Sequence, residues 1–361
     1  MWKRIVTHDE LIERIDALGR ERRLIGPVAR EAPGCHPPLR YFYEHVTRAA
    51  QLSLDFDYCV YGPKAFVLPP RETLFRFDRS AGTFVATPIM DAQPTALVGA
   101  HPCDLHGLRL LDAVFQNDRP DEQYRARRSA LFVVGIDCAR PCDARATCAD
   151  WGTNRVVGGC DVMLYADPRN CGNNRRNAQY AVEFCSEAGR TWLGDAGRAD
   201  DDAVAVSAGY HARKDAAFTR RLSASVEQLP ALVRASYDSH IWEKHAARCY
   251  SCGSCNLVCP TCYCFDIQDD CDFNGAGGSR QREWDACMLP DFAVVAGGHN
   301  FRLLAAQRLR HRVMRKAAWI QQRTGLSACV GCGRCDRACT ASISLIDMLN
   351  EAAQEAGNAH R

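Results

Sequence analysis

Two runs of cysteines carry the clearest chemical signal in the sequence. Each run has two, two and three residues between successive members, which are Cys249, Cys252, Cys255 and Cys259 in the first run and Cys329, Cys332, Cys335 and Cys339 in the second. Two intervening residues let successive thiolates turn around the corners of one Fe4S4 cube, and the fourth cysteine then points towards a neighbouring cube. The spacing therefore predicts two 4Fe-4S clusters.

The direction of each fourth cysteine predicts that the two ligand sets cross over between the runs. The expected sets are Cys249, Cys252, Cys255 and Cys339 for one cluster, and Cys329, Cys332, Cys335 and Cys259 for the other. Gly253, Gly331 and Gly333 lie between these ligands. Glycines there suit a loop whose backbone approaches sulfide and donates N–H groups to it, so we expect them to contact the clusters.

Structural zinc is the alternative interpretation, because Cys-x2-Cys pairs also form zinc ribbons. A zinc site needs four thiolates in two pairs and does not require two runs of four at identical spacing. We therefore favour iron–sulfur clusters over a zinc-stapled interaction protein. The charge balance, with 45 Lys plus Arg against 43 Asp plus Glu, gives a net charge of +2 and does not favour a nucleic-acid partner.

The start of the chain predicts a cytoplasmic protein. Residues 7–18 resemble a capped amphipathic helix, because Thr7 and Glu10 form a capping box and Leu11, Ile15 and Leu18 share one face. We find neither an apolar signal-peptide core nor an apolar run long enough for a membrane span. In a reducing compartment, clusters of cysteines indicate metal binding. Among the 21 cysteines, those that stand in runs are therefore expected to be metal ligands.

The helices and strands predicted around these cysteines indicate an α+β protein with two domains. Residues 1–236 are expected to form a mixed α/β domain, with strands at 72–78, 83–87, 95–99, 130–135, 161–165 and 203–206. The strands at 95–99 and 130–135 are apolar, and each leads into a loop that contains cysteine.

Residues 237–361 are expected to form an α-helical, ferredoxin-type domain, since 12 of the 21 cysteines lie between Cys249 and Cys339 and strand signals nearly vanish. Between the two runs, residues 301–323 have helical periodicity and carry several cations. Two interpretations of these cations stay open: a solvated helix face, or positive charge that stabilises an anionic cluster.

Longer stretches around the runs resemble the β (iron–sulfur) subunits of group 3 cytoplasmic NiFe hydrogenases, or sulfhydrogenases, a family that also includes the A subunit of anaerobic sulfite reductase. The resemblance extends from about residue 20 to 346 and rests on CYSCGSCNLVCPTCYCFD (249–266), REWDAC (282–287), VAGGHNFR (295–302), CVGCGRC (329–335), GPKAFVLPP (62–70) with Glu72, and PCDL (102–105). It implies a non-catalytic electron-transfer subunit that works beside a flavin- and NAD(P)-binding ferredoxin-reductase-like subunit and a catalytic metalloenzyme, which we expect to be a NiFe hydrogenase. Anaerobic sulfite reductase, or another flavin-linked reductase, is the alternative complex.

The chain departs from the family pattern at two places. Thr340 follows the second run where the family usually has proline. In the N-terminal half, the family's Cys-Phe-Cys is Cys148-Ala-Asp150 here. The resemblance nevertheless suggests a third 4Fe-4S cluster, held by Cys103, Cys138 and Cys148 with Cys142, Asp150 or Asp104 as the fourth ligand. The alternative is that these cysteines are small buried hydrophobic residues.

Overall fold

The structure is a computed structural model that describes residues 4–34, 38–79, 82–166, 178–199 and 203–359. Its strands are β1 (Arg4–Thr7), β2 (Arg23–Glu31), β3 (Leu39–His45), β4 (Arg71–Asp78), β5 (Val85–Pro88), β6 (Thr95–Ala100), β7 (Leu131–Ile136), β8 (Val162–Ala166), β9 (Gln179–Phe184), β10 (Arg198–Ala199), β11 (Phe265–Cys271) and β12 (Gly277–Trp284). Its α-helices are α1 (His8–Glu21), α2 (Pro102–Phe115), α3 (Glu122–Ser129), α4 (Glu187–Leu193), α5 (Ala203–Ala216), α6 (Leu229–Ala235), α7 (Ile241–Ala246), α8 (Ser254–Leu257), α9 (Ala305–Met314), α10 (Ile320–Thr324), α11 (Arg334–Ala338) and α12 (Leu345–Ala359). Short 3-10 turns lie at Ala49–Gln51, Pro63–Phe66 and Pro290–Ala293.

The larger sheet orders its strands β10-β1-β9-β8-β7-β6-β2-β3 within the described ranges. Its centre, from β2 through β6 and β7 to β8, is parallel. Every residue of β6 and β7 is buried, as expected for apolar parallel strands covered on both faces. Both strands end at the same edge, so the segments that follow them come close together: the start of α2 with Cys103, and the loop after β7 with Cys138.

Helices cover the two faces of this sheet. Helix α1 packs Leu11 and Ile15 with the Val98 and Val134 side of the sheet, whereas α2 packs Leu105 and neighbouring leucines with the opposite side. The start of α1 has the capping box predicted from the sequence, with Thr7 and Glu10 bonding to each other's backbone N–H groups.

A second, four-stranded antiparallel sheet has the order β11-β12-β4-β5. The hairpin β11–β12 comes from the part of the chain where the sequence showed almost no strand signal, and β12 pairs with β4 from the N-terminal half. The expectation that this part of the chain contains almost no strands was wrong. All residues of β11 are exposed, so the strand has no buried face and no alternating apolar pattern in its sequence. The sheet joins the two halves of the chain, and a domain boundary at 236/237 stays a prediction.

The C-terminal half packs mainly as helices around a shared core. Helix α9 continues through a π-helical segment (Arg315–Trp319) into α10, and Leu309, Val313, Ala317 and Ile320 are buried on it as their periodicity predicted. Leu229 and Val233 of α6 join the same core with Leu349 of α12. One strand prediction was wrong, since residues 203–206 form the first turn of α5. None of the helices within the described ranges has the length and apolarity needed to cross a membrane.

Candidate iron–sulfur centres

Four cysteines from both runs line one cavity, and we call them the first quartet: Cys249, Cys252, Cys255 and Cys339. The backbone N–H of Ser251 donates to Cys249 Sγ at 3.4 Å, and that of Ile343 donates to Cys339 Sγ at 3.3 Å. Gly253 begins α8 with φ at +73°, a conformation that glycine adopts without strain. The loop therefore turns its amides and its thiols towards the same cavity.

The remaining four cysteines line a second cavity and form the second quartet: Cys259, Cys329, Cys332 and Cys335. Gly331 has φ at +62°, and its N–H donates to Cys329 Sγ at 3.4 Å. Gly333, also at positive φ, begins α11 as Gly253 begins α8. The structure thus brings together the crossed sets expected from the spacing, with the fourth cysteine of each run lying among the first three of the other.

Buried cations lie beside the quartets. Of the cations along residues 301–323, Arg308, Arg312 and Lys316 are buried, so the solvated-face interpretation does not hold for these three. Arg312 and Lys316 line the cavity of the second quartet, and Lys316 Nζ donates to Thr261 Oγ1 at 2.6 Å. Arg308 donates to Ser251 Oγ at 2.9 Å, next to the first quartet. These positive charges favour thiolates and the anionic group that four thiolates would hold.

Burial has the opposite effect on most of these thiols. Burial raises the pKa of Cys255 to about 11 and that of Cys329 to about 12. Cys259 differs: burial raises its pKa, but the positive charge of Lys316 and a hydrogen bond with Thr261 outweigh burial and lower it overall. Without metal, the four thiols whose pKa is raised (Cys255, Cys329, Cys332 and Cys335) would be neutral at pH 7, and metal binding would release their protons. The donor set therefore fits iron–sulfur clusters, whose iron ions supply the positive charge that buried thiolates need.

A third thiol group, Cys103, Cys138, Cys142 and Cys148, lies at the carboxyl edge of β6 and β7. Cys103 lies in the first turn of α2 and the other three lie in the loop after β7. Their proximity shows in their pKa values: burial raises the pKa of Cys148, and the charges of Cys138, Cys142 and Cys332 raise it further. The structure thus brings together the cysteines of the hypothesised third site.

The third thiol group lies directly against the second quartet. Cys103, Val330 and Cys332 pack together in one buried contact. The N–H of Thr147 donates to Gly331 O at 2.7 Å, and a Cβ on Gly331 would lie only 2.6 Å from the backbone nitrogen of Cys148. Glycine is required at 331 both by its positive φ and by this close approach.

The carboxylates proposed as fourth ligands have other partners. Asp150 accepts from Arg221 at 2.9 Å and from the N–H of Leu222 at 2.7 Å. Asp104, fully buried, pairs with Arg334 at 2.7 Å and accepts from Tyr43 at 3.1 Å. Cys142 is the thiol among the three alternatives: its charge raises the pKa of Cys148, and its Sγ donates to the backbone oxygen of Asp57 at 3.0 Å. The geometry therefore favours Cys142 over Asp150 and Asp104.

Three further cysteines form a contact that the sequence did not identify. The thiol of Cys264 hydrogen-bonds with Cys262 and Cys287, and Asn256 Nδ2 donates to Cys287 Sγ at 3.2 Å. The bond with Cys264 lowers the pKa of Cys287 to about 7. Their positions in sequence follow no cluster spacing; Cys262 and Cys264 are close in the chain, and the pairing of β11 with β12 brings Cys287 to them. Across the described part of the chain, no set of three or more His, Cys, Asp or Glu side chains is arranged to hold a single metal ion, as a mononuclear zinc site would.

Known proteins share the sequence features of this chain. A 4Fe-4S dicluster domain matches residues 248–343, which include both quartets. The chain is 31% identical over 346 residues to sulfhydrogenase 2 subunit beta of Pyrococcus furiosus, and the match covers 95% of each chain. The chain belongs to the sulfhydrogenase β-subunit family. The family and the α+β fold class expected from the sequence are confirmed, and the chain is an iron–sulfur electron-transfer subunit. No solved structure matches it.

Proposed function

We propose that this sulfhydrogenase β-type subunit relays electrons between a flavin- and NAD(P)-binding reductase subunit and a catalytic NiFe hydrogenase module. The observation that carries the proposal is the arrangement of the three thiol groups in series. Cys332 of the second quartet contacts the third thiol group, and Arg312 lies close to both Cys255 of the first quartet and Cys335 of the second. Groups placed in a row suit a relay, because electrons pass between centres that lie close together.

We further propose that each quartet holds one 4Fe-4S cluster and that the third thiol group holds a third. Such clusters, when bound, supply reversible one-electron chemistry. The chain itself would supply the thiolates, the N–H groups of Ser251, Gly331 and Ile343 that donate to ligand sulfurs, and the cations that offset negative charge. We assign Cys142 as the fourth ligand of the third cluster, because Asp150 and Asp104 are already paired.

The decisive experiment compares Cys332→Ser with Cys271→Ser after anaerobic purification. Cys332 lies in the second quartet, whereas Cys271 is an exposed thiol at the end of β11 outside every group. We expect Cys332→Ser to lose about four irons per chain and to interrupt electron transfer between the partner subunits, while Cys271→Ser keeps both. Unchanged iron and turnover in Cys332→Ser would contradict the assignment. A colourless protein that contains zinc and gives no paramagnetic signal on reduction would support a zinc-stapled protein instead.

The identity of the catalytic partner has its own test. The family predicted from the sequence includes a subunit of anaerobic sulfite reductase, and the curated relative is a sulfhydrogenase subunit. Co-purification followed by metal and cofactor analysis distinguishes the complexes. Nickel in the complex would support a hydrogenase as the catalytic partner. Sirohaem would identify the catalytic partner as a sulfite reductase instead.

A further inference from the structure

Three cysteines that belong neither to the quartets nor to the third thiol group lie together beside α8. Cys262, Cys264 and Cys287 line one small cavity, and we call them the thiol trio. Asn256, which is buried in α8, donates through Nδ2 to Cys262 Sγ at 3.5 Å and to Cys287 Sγ at 3.2 Å. Cys264 hydrogen-bonds with both of the other thiols and so links them. Thiols in direct contact are arranged to form a disulfide bond.

The backbone around the thiol trio is held in place from two sides. The N–H of Asp285 donates to Cys264 O at 3.0 Å, which extends the pairing of β11 with β12. Lys64 is buried and donates through Nζ to Cys262 O at 3.2 Å. A bond between Cys264 and Cys287 would join two neighbouring segments, whereas Cys262 and Cys264 are two positions apart in one segment, where disulfide geometry is hard to reach. The fold therefore favours Cys264 with Cys287 as the pair.

The protonation of this pair suits thiol oxidation. The hydrogen bond with Cys264 lowers the pKa of Cys287 to about 7, so a large share of Cys287 is thiolate at neutral pH. Hydrogen bonds with Cys262 and Cys287 raise the pKa of Cys264, which therefore keeps its proton. The thiolate is the reactive form of cysteine. The pair thus holds one thiolate and one thiol, and a disulfide forms from it with the release of a single proton.

The thiol trio lies next to both quartets and is closed to large reagents. Arg312 and Lys316 line the cavity of the trio and also that of the second quartet. On the other side, Asn256 directly follows Cys255 of the first quartet. The trio's cavity has a volume of about 10 Å³, which leaves room for no more than one water molecule, and Cys287 is buried. A soluble disulfide does not fit there, so electrons must reach the pair through the neighbouring centres.

We propose that Cys264 and Cys287 form a two-electron dithiol–disulfide couple that exchanges electrons with the relay. This inference rests on the proposed function for its one-electron partners and adds a site that stores electrons in pairs. On oxidation the S–H bond of Cys264 breaks, an S–S bond to Cys287 forms, and one proton and two electrons leave. Iron–sulfur clusters, the class of carrier proposed for the quartets, take up the two electrons one at a time, and reduction is the reverse.

The buried cations lower the cost of the single-electron steps. After the first electron and the proton have left, the two sulfurs share one negative charge as a disulfide radical anion. Arg312 and Lys316, both buried and both lining the cavity, offset that charge. The pair can therefore give or take its two electrons separately.

The test compares Cys287→Ser with Cys271→Ser in the full chain, purified anaerobically with its iron. Cys271 is an exposed thiol on the same hairpin and lies outside the thiol trio. Each protein is oxidised with a ferrocenium salt and then titrated with dithionite to count the electrons that it takes up. We expect the wild type and Cys271→Ser to take up about two electrons per chain more than Cys287→Ser at equal iron content.

A second measurement identifies the bond. Samples from both ends of the titration are denatured, alkylated with iodoacetamide and analysed by peptide mass spectrometry. The oxidised wild type should contain a disulfide that links Cys264 to Cys287, and the reduced wild type should have both residues alkylated. Cys264→Ser should lose the same two electrons, and it provides a second variant should Cys287→Ser fail to fold.

The outcomes separate this inference from the proposed function. A wild-type chain without iron would contradict the proposed function. Equal electron counts in the wild type and Cys287→Ser, with normal iron in both, would overturn the dithiol couple alone. A loss of about four irons in Cys287→Ser would show that the thiol trio holds a cluster, and the inference would be wrong. A disulfide that links Cys262 to Cys264 in the oxidised wild type would overturn it as well.

Discussion

Each quartet and the third thiol group bring four thiols together, but the thiols come from differently organised parts of the chain. In each quartet, three thiols come from one short loop and the fourth comes from the other run. In the third group, one thiol comes from the first turn of α2 after β6 and three come from the loop after β7, and the parallel sheet brings them together. Local spacing can therefore encode the first kind of site, whereas the second kind depends on the whole fold.

The charges around these sites differ as well. Lys316 and Arg312 are buried beside the second quartet, and no carboxylate among the described residues forms an ion pair with either. Near the third group two buried cations each pair with a buried carboxylate: Lys214 with Asp137 at 2.7 Å, and Arg334 with Asp104 at 2.7 Å. The two carboxylates neutralise much of the positive charge, so we expect a cluster in the third group to have a lower reduction potential than one in the second quartet.

The largest expected effect tests the crossing of the ligand sets. Cys259→Ser should remove the cluster that belongs with Cys329, although Cys259 is the last cysteine of the first run, and Cys339→Ser should remove the cluster that belongs with Cys249. Each variant should lose about four irons per chain. Electron paramagnetic resonance of the reduced protein shows which signal disappears.

The matched controls for the crossing are the double variants. Cys259→Ser combined with Cys332→Ser should lose no more iron than either single variant, because both residues belong to one quartet. Cys259→Ser combined with Cys252→Ser should lose both clusters. The reverse pattern would mean that each run holds its own cluster.

The second prediction concerns the fourth ligand of the third group. Cys142→Ser should lower the iron content by about four per chain, from about twelve to about eight. Asp150→Asn should keep the iron, because Asp150 already accepts from Arg221 and from the N–H of Leu222. Iron loss in Asp150→Asn with normal iron in Cys142→Ser would reverse the assignment. A wild-type content of about eight irons would remove the third cluster.

The contrast between the sites also explains how far the sequence could predict them. Spacing predicted which eight cysteines would group into the two quartets that line the cavities, because three members of each quartet lie within seven residues. For the third group, three alternatives stayed open for the fourth ligand. The sequence could not show that Arg221, which is 71 residues from Asp150, would occupy that carboxylate.

The fold, like the sites, could be predicted from the sequence only where the signal is local. Buried strands such as β6 and β7 were predicted because a continuous apolar run is a local signal. The hairpin β11–β12 was missed, because its stability comes from pairing with β4, almost two hundred residues earlier in the chain. The contact of Cys264 with Cys287 depends on that hairpin, so spacing gave no sign of it.

The third prediction measures the charge difference between the sites. Lys316→Gln removes a buried cation beside Cys259 while keeping a donor for Thr261 Oγ1. The reduced form of a cluster carries one more negative charge, so the loss of the cation should lower the potential of the second quartet's cluster by on the order of 100 mV. Arg310→Gln is the control, since Arg310 lies on the same helix over the ring of Tyr237. Equal shifts in both variants would show that Lys316 has no specific effect.

The smallest effect concerns the residue after each run. Pro260 is buried, and Cβ atoms built on Gly62 and Gly107 would each approach its Cβ to 3.0 Å, whereas Thr340 is exposed. Pro260→Thr should therefore lower the free energy of unfolding by about 1–3 kcal/mol, because the branched side chain does not fit the packed site. Thr340→Pro should change it by less than about 0.5 kcal/mol, since Cys339 has the extended conformation that a following proline requires (φ −84°, ψ 104°). Urea unfolding of the two anaerobic variants measures both values. Equal losses of stability would mean that the loops after the two runs are packed alike, and that the family's proline is missing at 340 for a reason other than exposure.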